Sequence, residues 1–209
     1  MTAIRVLAVD DHPLLRGGIA ALIAGQSDMA LVAEASTGVE AIERFRDVRP
    51  DVTLLDIQMP LMGGIETLMA IRAEFPGARV IVLTTYGGDA LAQRALDAGA
   101  HAYVLKGDVR LELLDTIRSV YLGRKHVTAD VAKALAAHKG EECLSAREIE
   151  VLRLVAAGNS NEEIGHLLSV SKETAKAHMK HIMAKLGASD RTHAVTLALA
   201  RGFLPSMSE

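Results

Sequence analysis

Five polar side chains stand at or just beyond the ends of short apolar runs: Asp10 and Asp11, Asp56, Thr84 and Lys106. Three carboxylates brought together repel one another unless a cation joins them, and an oxygen-only donor set with room for water and phosphate oxygens suits Mg²⁺. A carboxylate can also act as a nucleophile toward a phosphoryl group. In that chemistry Asp56 attacks, Asp10 and Asp11 hold the metal, and Lys106 and Thr84 contact the transferred phosphoryl oxygens. Any one of these residues alone would be an ordinary loop residue; the joint arrangement is what argues for a site.

The elements that must position them are legible as alternation. Apolar β-favouring runs at Ile4 to Val9, Met29 to Ala35, Val52 to Leu55, Val80 to Leu83 and Ala102 to Leu105 are separated by helical patterns near Pro13 to Ala24, Gly38 to Arg46, Gly64 to Arg72 and Asp89 to Ala98. A fifth helical pattern follows from Leu111 to Leu122. Five strands alternating with five helices predict an α/β fold with a five-stranded, parallel, doubly wound sheet of flavodoxin-like type. Ligands of such sheets collect beyond the carboxyl ends of the strands, where these polar residues fall.

After Leu122 the strand signals stop. Residues 123–142 read as a linker with a helical fragment from Ala129 to Ala137, between a first domain at 1–122 and a second at 143–209. The second domain reads as all-α with four helices. Ser145 with Glu148 and Ser160 with Glu163 form capping boxes, Ser171 caps a third helix that ends before Gly187, and a fourth runs from about Asp190 to Arg201. On the third helix Ala175, Met179, Ile182 and Leu186 form one apolar face, while Lys172, Lys176 and Lys180 lie four apart on another. A capped helix, a short turn at Ser169 to Ser171 and a helix with one buried and one basic stripe are the parts of a helix-turn-helix offered to a DNA major groove.

Composition narrows the class. Half of the 209 residues are apolar and 23% are charged, which excludes extended disorder. The single cysteine, Cys143, excludes an intramolecular disulfide and a cysteine-based zinc site. Acids directly after the first apolar run do not fit a signal peptide and no run approaches a membrane span, so a cytosolic protein without membrane association is expected. The net charge of -3 divides unevenly: residues 1–122 carry 11 Lys+Arg against 16 Asp+Glu, whereas residues 143–209 carry 8 against 7. His178 and His181 are three apart and lack a further ligand, so they do not read as a metal site.

The motifs VDDHPLLRGG, LLDIQMPLMGG, VLTTY and AGAHAYVLK, in that order, resemble a response-regulator receiver domain over residues 1–122. The resemblance implies phosphorylation of Asp56 by a sensor histidine kinase. It also implies Mg²⁺ bound by Asp11, Asp56 and the main-chain carbonyl of Gln58, with Asp10 acting mainly through water, and a switch pair of Thr84 and Tyr103. Two places depart from the pattern. Gly107 follows the lysine where Asp or Pro is usual, which leaves open a cis peptide there, and Gly87-Gly88 suggests a mobile loop beside the site.

The segment from LSAREIEVL to GASDRTHAV closely resembles a LuxR-type helix-turn-helix, which makes the whole chain similar to NarL/FixJ-type regulators. The resemblance implies base-edge contacts from Lys176, Ala177 and Lys180, phosphate contacts from Lys172, Thr174 and Lys185, and dimerisation through Ala194, Leu197, Ala198 and Arg201. Ala175 stands where the family usually has Val, and Glu162 where it often has Lys. The expected function is phosphorylation-controlled homodimerisation and binding to double-stranded DNA, with self-phosphorylation and slow dephosphorylation as the only chemistry. Two rivals are a DNA-binding regulator whose receiver is a phosphorylation-independent scaffold, and a phosphohydrolase or phosphotransferase. The second lacks an acid placed as a general acid beside Asp56.

Overall fold

The computed structural model describes residues 3–85, 89–127, 132 and 144–204. The chain divides into two compact units, the first built on a parallel sheet and the second, among the described residues, on helices. The predicted helical fragment Ala129 to Ala137 lies almost wholly outside the described residues, as do Gly87-Gly88 and Cys143.

In the first unit the elements alternate: β1 (Ile4–Val9), α1 (Pro13–Ala24), β2 (Met29–Ala35), α2 (Gly38–Val48), β3 (Val52–Asp56), α3 (Gly64–Glu74), β4 (Val80–Thr84), α4 (Asp89–Asp97), β5 (Ala102–Leu105), α5 (Val109–Tyr121) and β6 (His126–Val127). The strands are ordered β2-β1-β3-β4-β5-β6 and every pairing is parallel. All residues of β3 and β4 are buried, which is why their sequences are continuous apolar runs and not alternating ones. On one face Val6, Ala8, Val52, Leu54, Ile81 and Leu83 share a core with Ile19 and Ile23 of α1 and with Leu113, Ile117 and Val120 of α5.

The sheet has six strands where the sequence reads as five. The sixth falls inside the stretch read as linker: the His126 N–H donates to the His101 carbonyl at 2.9 Å, and Val127 lies in register with Tyr103. Two residues are too few to show a period of two, so pairing with the exposed edge of β5 creates this strand without a local signal. The Lys106-Gly107 peptide, which the sequence leaves open, is trans, since no described residue has a cis bond.

The second unit contains α6 (Ala146–Ala156), α7 (Asn161–Leu167), α8 (Lys172–Leu186) and α9 (Arg191–Ala200). Ser145 and Ser160 close the capping boxes with Glu148 and Glu163, and Ser171 and Asp190 cap the remaining two helices. Its core joins Val151, Leu152 and Val155 of α6, Ile164 of α7, Ala175, Met179, Ile182 and Leu186 of α8, and Ala194 and Ala198 of α9. The α7 to α8 turn is tight. Ser169 takes a left-handed φ of 55°, and a Cβ on Gly165 would meet the Val170 carbonyl at 2.9 Å.

Candidate functional site

Sheet register sets the receiver pocket. Val9 pairs with Leu55, so the chain leaves β1 at Asp10 beside Asp56 at the end of β3; Asp56 pairs with Leu83, and Thr84 with Leu105, so the carboxyl edge continues through Thr84 to Lys106. β1 lies between β2 and β3, and the chain changes direction across the sheet there, as expected of a ligand-binding crevice.

Asp10, Asp56 and Thr84 are buried, with exposures of 0%, 1% and 0%. Lys106 reaches both acids: its Nζ donates to Asp56 Oδ2 at 2.8 Å and lies 2.8 Å from Asp10 Oδ2, the latter an ion pair without hydrogen-bond alignment. The Gln58 N–H donates to Asp56 Oδ1 at 3.1 Å. Burial pushes the Asp56 carboxyl above its ordinary range, against the pull of Lys106 and the Gln58 N–H. Burial would lower Lys106, but Asp10 and Asp56 outweigh it and hold the ammonium above its ordinary range. Tyr103 is fully buried. Burial pushes its hydroxyl far above the phenol range despite a hydrogen bond with the Thr84 side chain.

Asp11 is partly exposed, and its ligand atoms lie within 4.8 Å of those of Asp10 and His12. The donor set fits a divalent cation. Asp10, Asp11 and Asp56 bring three negative charges against the single ammonium of Lys106, and two of the acids are almost fully buried. Buried negative charge left over after an ion pair favours a hard, oxygen-seeking cation.

On the second unit, Lys172, Thr174, Lys176, Ala177 and Lys180 are all exposed along α8, and Lys185 is half-buried. They are not equivalent. Lys172 pairs with Glu162 at 3.1 Å, and Lys185 pairs with the buried Glu148 at 3.0 Å. The Thr174 hydroxyl is tied to the cap, 3.0 Å from Ser171 Oγ. Lys176 and Lys180 form no ion pair among the described residues. On α9, Ala194 and Ala198 are fully buried in their own unit's core, while Leu197 and Arg201 are half-buried, with the Arg201 guanidinium 5.5 Å from the Phe203 ring centroid.

Residues 6–118 match the model of the response regulator receiver domain, and residues 142–198 match that of bacterial regulatory proteins of the luxR family. The transcriptional regulatory protein LiaR of Bacillus subtilis is 39% identical over 203 residues, covering 93% of this chain and 96% of LiaR. The chain belongs to the LuxR-type response regulators. Response regulator protein VraR of Staphylococcus saprophyticus is 34% identical, covering 96% of this chain and 99% of VraR. The solved structure of RcsB from Salmonella enterica serovar Typhimurium, bound to a promoter in the presence of the phosphomimetic BeF3-, is 28% identical. It superposes with a TM-score of 0.71, covering 95% of this chain and 99% of that one.

This response regulator therefore joins a receiver to a LuxR-type DNA-binding domain, and its relatives are transcriptional regulators. No described helix is long and apolar enough to cross a membrane. Several residues escaped sequence reasoning. The Arg16 guanidinium donates to the Asp10 carbonyl at 2.6 Å and lies 3.5 Å from Glu34, bracing the loop that carries two of the acids. His12 adds an imidazole 3.1 Å from Asp11, and the Thr85 hydroxyl donates to Gln58 Oε1 at 3.3 Å. Each contact joins residues through the tertiary fold or a loop, and no periodicity announces it.

Proposed function

We propose that Asp56 accepts a phosphoryl group from a sensor histidine kinase and that this modification controls dimerisation and DNA binding by α8. The observation that carries the reading is the meeting of Asp10, Asp56 and Lys106 at one strand edge, with 2.8 Å between Lys106 Nζ and a carboxylate oxygen of each acid. In the transfer, an Asp56 oxygen forms a bond to phosphorus as the bond from phosphorus to the donor's leaving atom breaks. Lys106 pairs with charge on the phosphoryl oxygens, and Thr84 supplies a hydroxyl to them. Asp11, Asp56 and the Gln58 carbonyl, with Asp10 acting through water, would hold Mg²⁺, which would supply positive charge to offset that on those oxygens.

Thr84 and Tyr103 are the switch pair in this reading, their hydrogen bond linking the pocket to the edge of β5. DNA contact falls to Lys176, Ala177 and Lys180 for bases, with Thr174 near the phosphates. Lys172 and Lys185 contribute less to phosphate binding than their charge suggests, because each already has a carboxylate partner. Ala194 and Ala198 support a dimer face from beneath, which leaves Leu197 and Arg201 as its contacting side chains. The receiver occupies residues 1–122 and the DNA-binding domain residues 143–209, joined by 123–142, and the protein acts in the cytoplasm as a self-phosphorylating regulator.

The test is uptake of a phosphoryl group from a small acyl phosphate with Mg²⁺, followed by intact mass. The wild type gains one phosphoryl group, and Asp56→Asn and metal-free protein gain none. Labelling that survives in Asp56→Asn overturns the assignment.

A further inference from the structure

Not every charged residue on the outward face of α8 is a lysine. The buried residues Ala175, Met179, Ile182 and Leu186 are spaced by four, three and four residues. Moved back by two residues, the same spacing selects Glu173, Ala177, Lys180 and Ala184, and all four are exposed. At about 100° per residue a two-residue step turns the stripe by roughly 200°, so this second line faces away from the core. Glu173, Lys176, Ala177 and Lys180 also share the wall of one open hollow of about 630 Å³.

Glu173 sits in the first turn of α8, the part of a recognition helix that meets base edges. The neighbouring Lys172 is turned to Glu162 at 3.1 Å, and among the described residues no ion pair or hydrogen bond reaches the Glu173 side chain. Ala177 and Ala184, on the same line, carry no bulk that would hold the helix out of a groove. A bare carboxylate on that line repels phosphates, and the major groove offers it one well-matched donor, the N4 amino group of cytosine. We propose that Glu173 is a base-reading residue that selects cytosine within each half-site, beside the bases read by Lys176 and Lys180. This rests on α8 being the DNA-reading helix. It adds a negative determinant to that surface: Glu173 lowers affinity for DNA in general and raises selectivity at one position.

The test is selection of random duplexes by the full-length protein, carried out with the wild type, Glu173→Gln and Glu173→Ala. The wild type should enrich one position in cytosine by roughly five- to a hundredfold over the other bases. Glu173→Ala should flatten that position alone while its binding to unselected DNA becomes tighter and more salt-dependent. Glu173→Gln should shift the same position toward adenine, which presents an acceptor and a donor to an amide. If all three proteins enrich identical sequences, the inference falls while the DNA-reading role of α8 stands. A lower melting temperature of Glu173→Ala with unchanged selection overturns it equally and leaves Glu173 as a helix-stabilising acid. If the wild type enriches nothing, the DNA-reading role falls and the inference with it.

Discussion

Gly64 stands against the main chain of Asp56, the proposed phosphoacceptor. A Cβ there would lie 2.7 Å from Ile57 Cα and 2.8 Å from the Asp56 carbonyl carbon, both backbone atoms that cannot swing aside as a side chain would. The Gly64 N–H donates to the Ile57 carbonyl at 2.9 Å, so α3 starts directly against the end of β3. Gly64→Ala must therefore displace the Asp56–Ile57 segment, and overpacking of this kind costs about 1–3 kcal/mol. The expected result is a lower melting temperature for the receiver and slower phosphoryl uptake at Asp56, with binding of the unphosphorylated protein to DNA unchanged. Uptake at the wild-type rate would show that the loop yields and that the contact does not position Asp56. Sequence alone displayed the glycine pair and its place in a motif; the reason for it is a contact between β3 and α3.

Among the helices, α6 and α8 are tied by a charge pair. Glu148 is the acid of the capping box at Ser145, and it also receives Lys185 from near the end of α8. Burial pushes its carboxyl up, but the Ser145 N–H and Lys185 outweigh burial and hold it below the ordinary value of 4.5. Because the folded value is depressed, the stabilisation is fully present above about pH 4.5 and is lost as pH falls through the lower folded value. Glu148→Gln should lower the stability of the DNA-binding unit by about 1–3 kcal/mol at neutral pH. Melting curves of the two proteins should converge on acidification below the depressed folded value. A constant gap at every pH would mean that packing, and not charge, accounts for Glu148.

At this scale much was legible in advance. The bounds of β1, β2 and β5 and three caps of the helical unit follow from apolar runs and from the serines before them, while the sequence marks Asp190 only as the approximate start of the last helix, which it caps. The pocket acids, Thr84 and Lys106 were also legible, because parallel strands place their ends side by side. What stayed hidden depends on partners distant in sequence: β6 needs the edge of β5, and the pairing of Lys172 and Lys185 with acids needs α7 and α6 packed against α8. Of the three lysines in the stripe, Lys172 is neutralised by Glu162, while Lys176 and Lys180 form no ion pair among the described residues.

For the molecule as a whole, control requires that a charge added at Asp56 change the affinity of α8 for DNA. A phosphoryl group on Asp56 brings new negative charge beside Asp10 and Asp11 and competes with Asp10 for Lys106, whose Nζ lies 2.8 Å from each of Asp10 and Asp56 in the present state. Thr84 carries a buried hydroxyl at the strand edge, and its move toward the phosphoryl oxygens would break its hydrogen bond with the buried Tyr103. In the proposed switch, two arrangements of that pair would supply the bistable element that coupling needs. A coupling of about 1–3 kcal/mol corresponds to a five- to 150-fold change in DNA affinity. Beryllium fluoride with Mg²⁺ should therefore tighten binding to a selected duplex by that range and shift the protein toward dimer on gel filtration. Asp56→Asn should respond in neither assay, and Tyr103→Ala should keep phosphoryl uptake but lose most of the change in affinity. Equal affinity and equal size with and without the mimic would make the receiver a scaffold, with DNA binding set by α8 alone. Loss of phosphoryl uptake in Tyr103→Ala would instead place Tyr103 in the chemistry, where its position within β5, before the strand end that carries Lys106, argues that it does not belong.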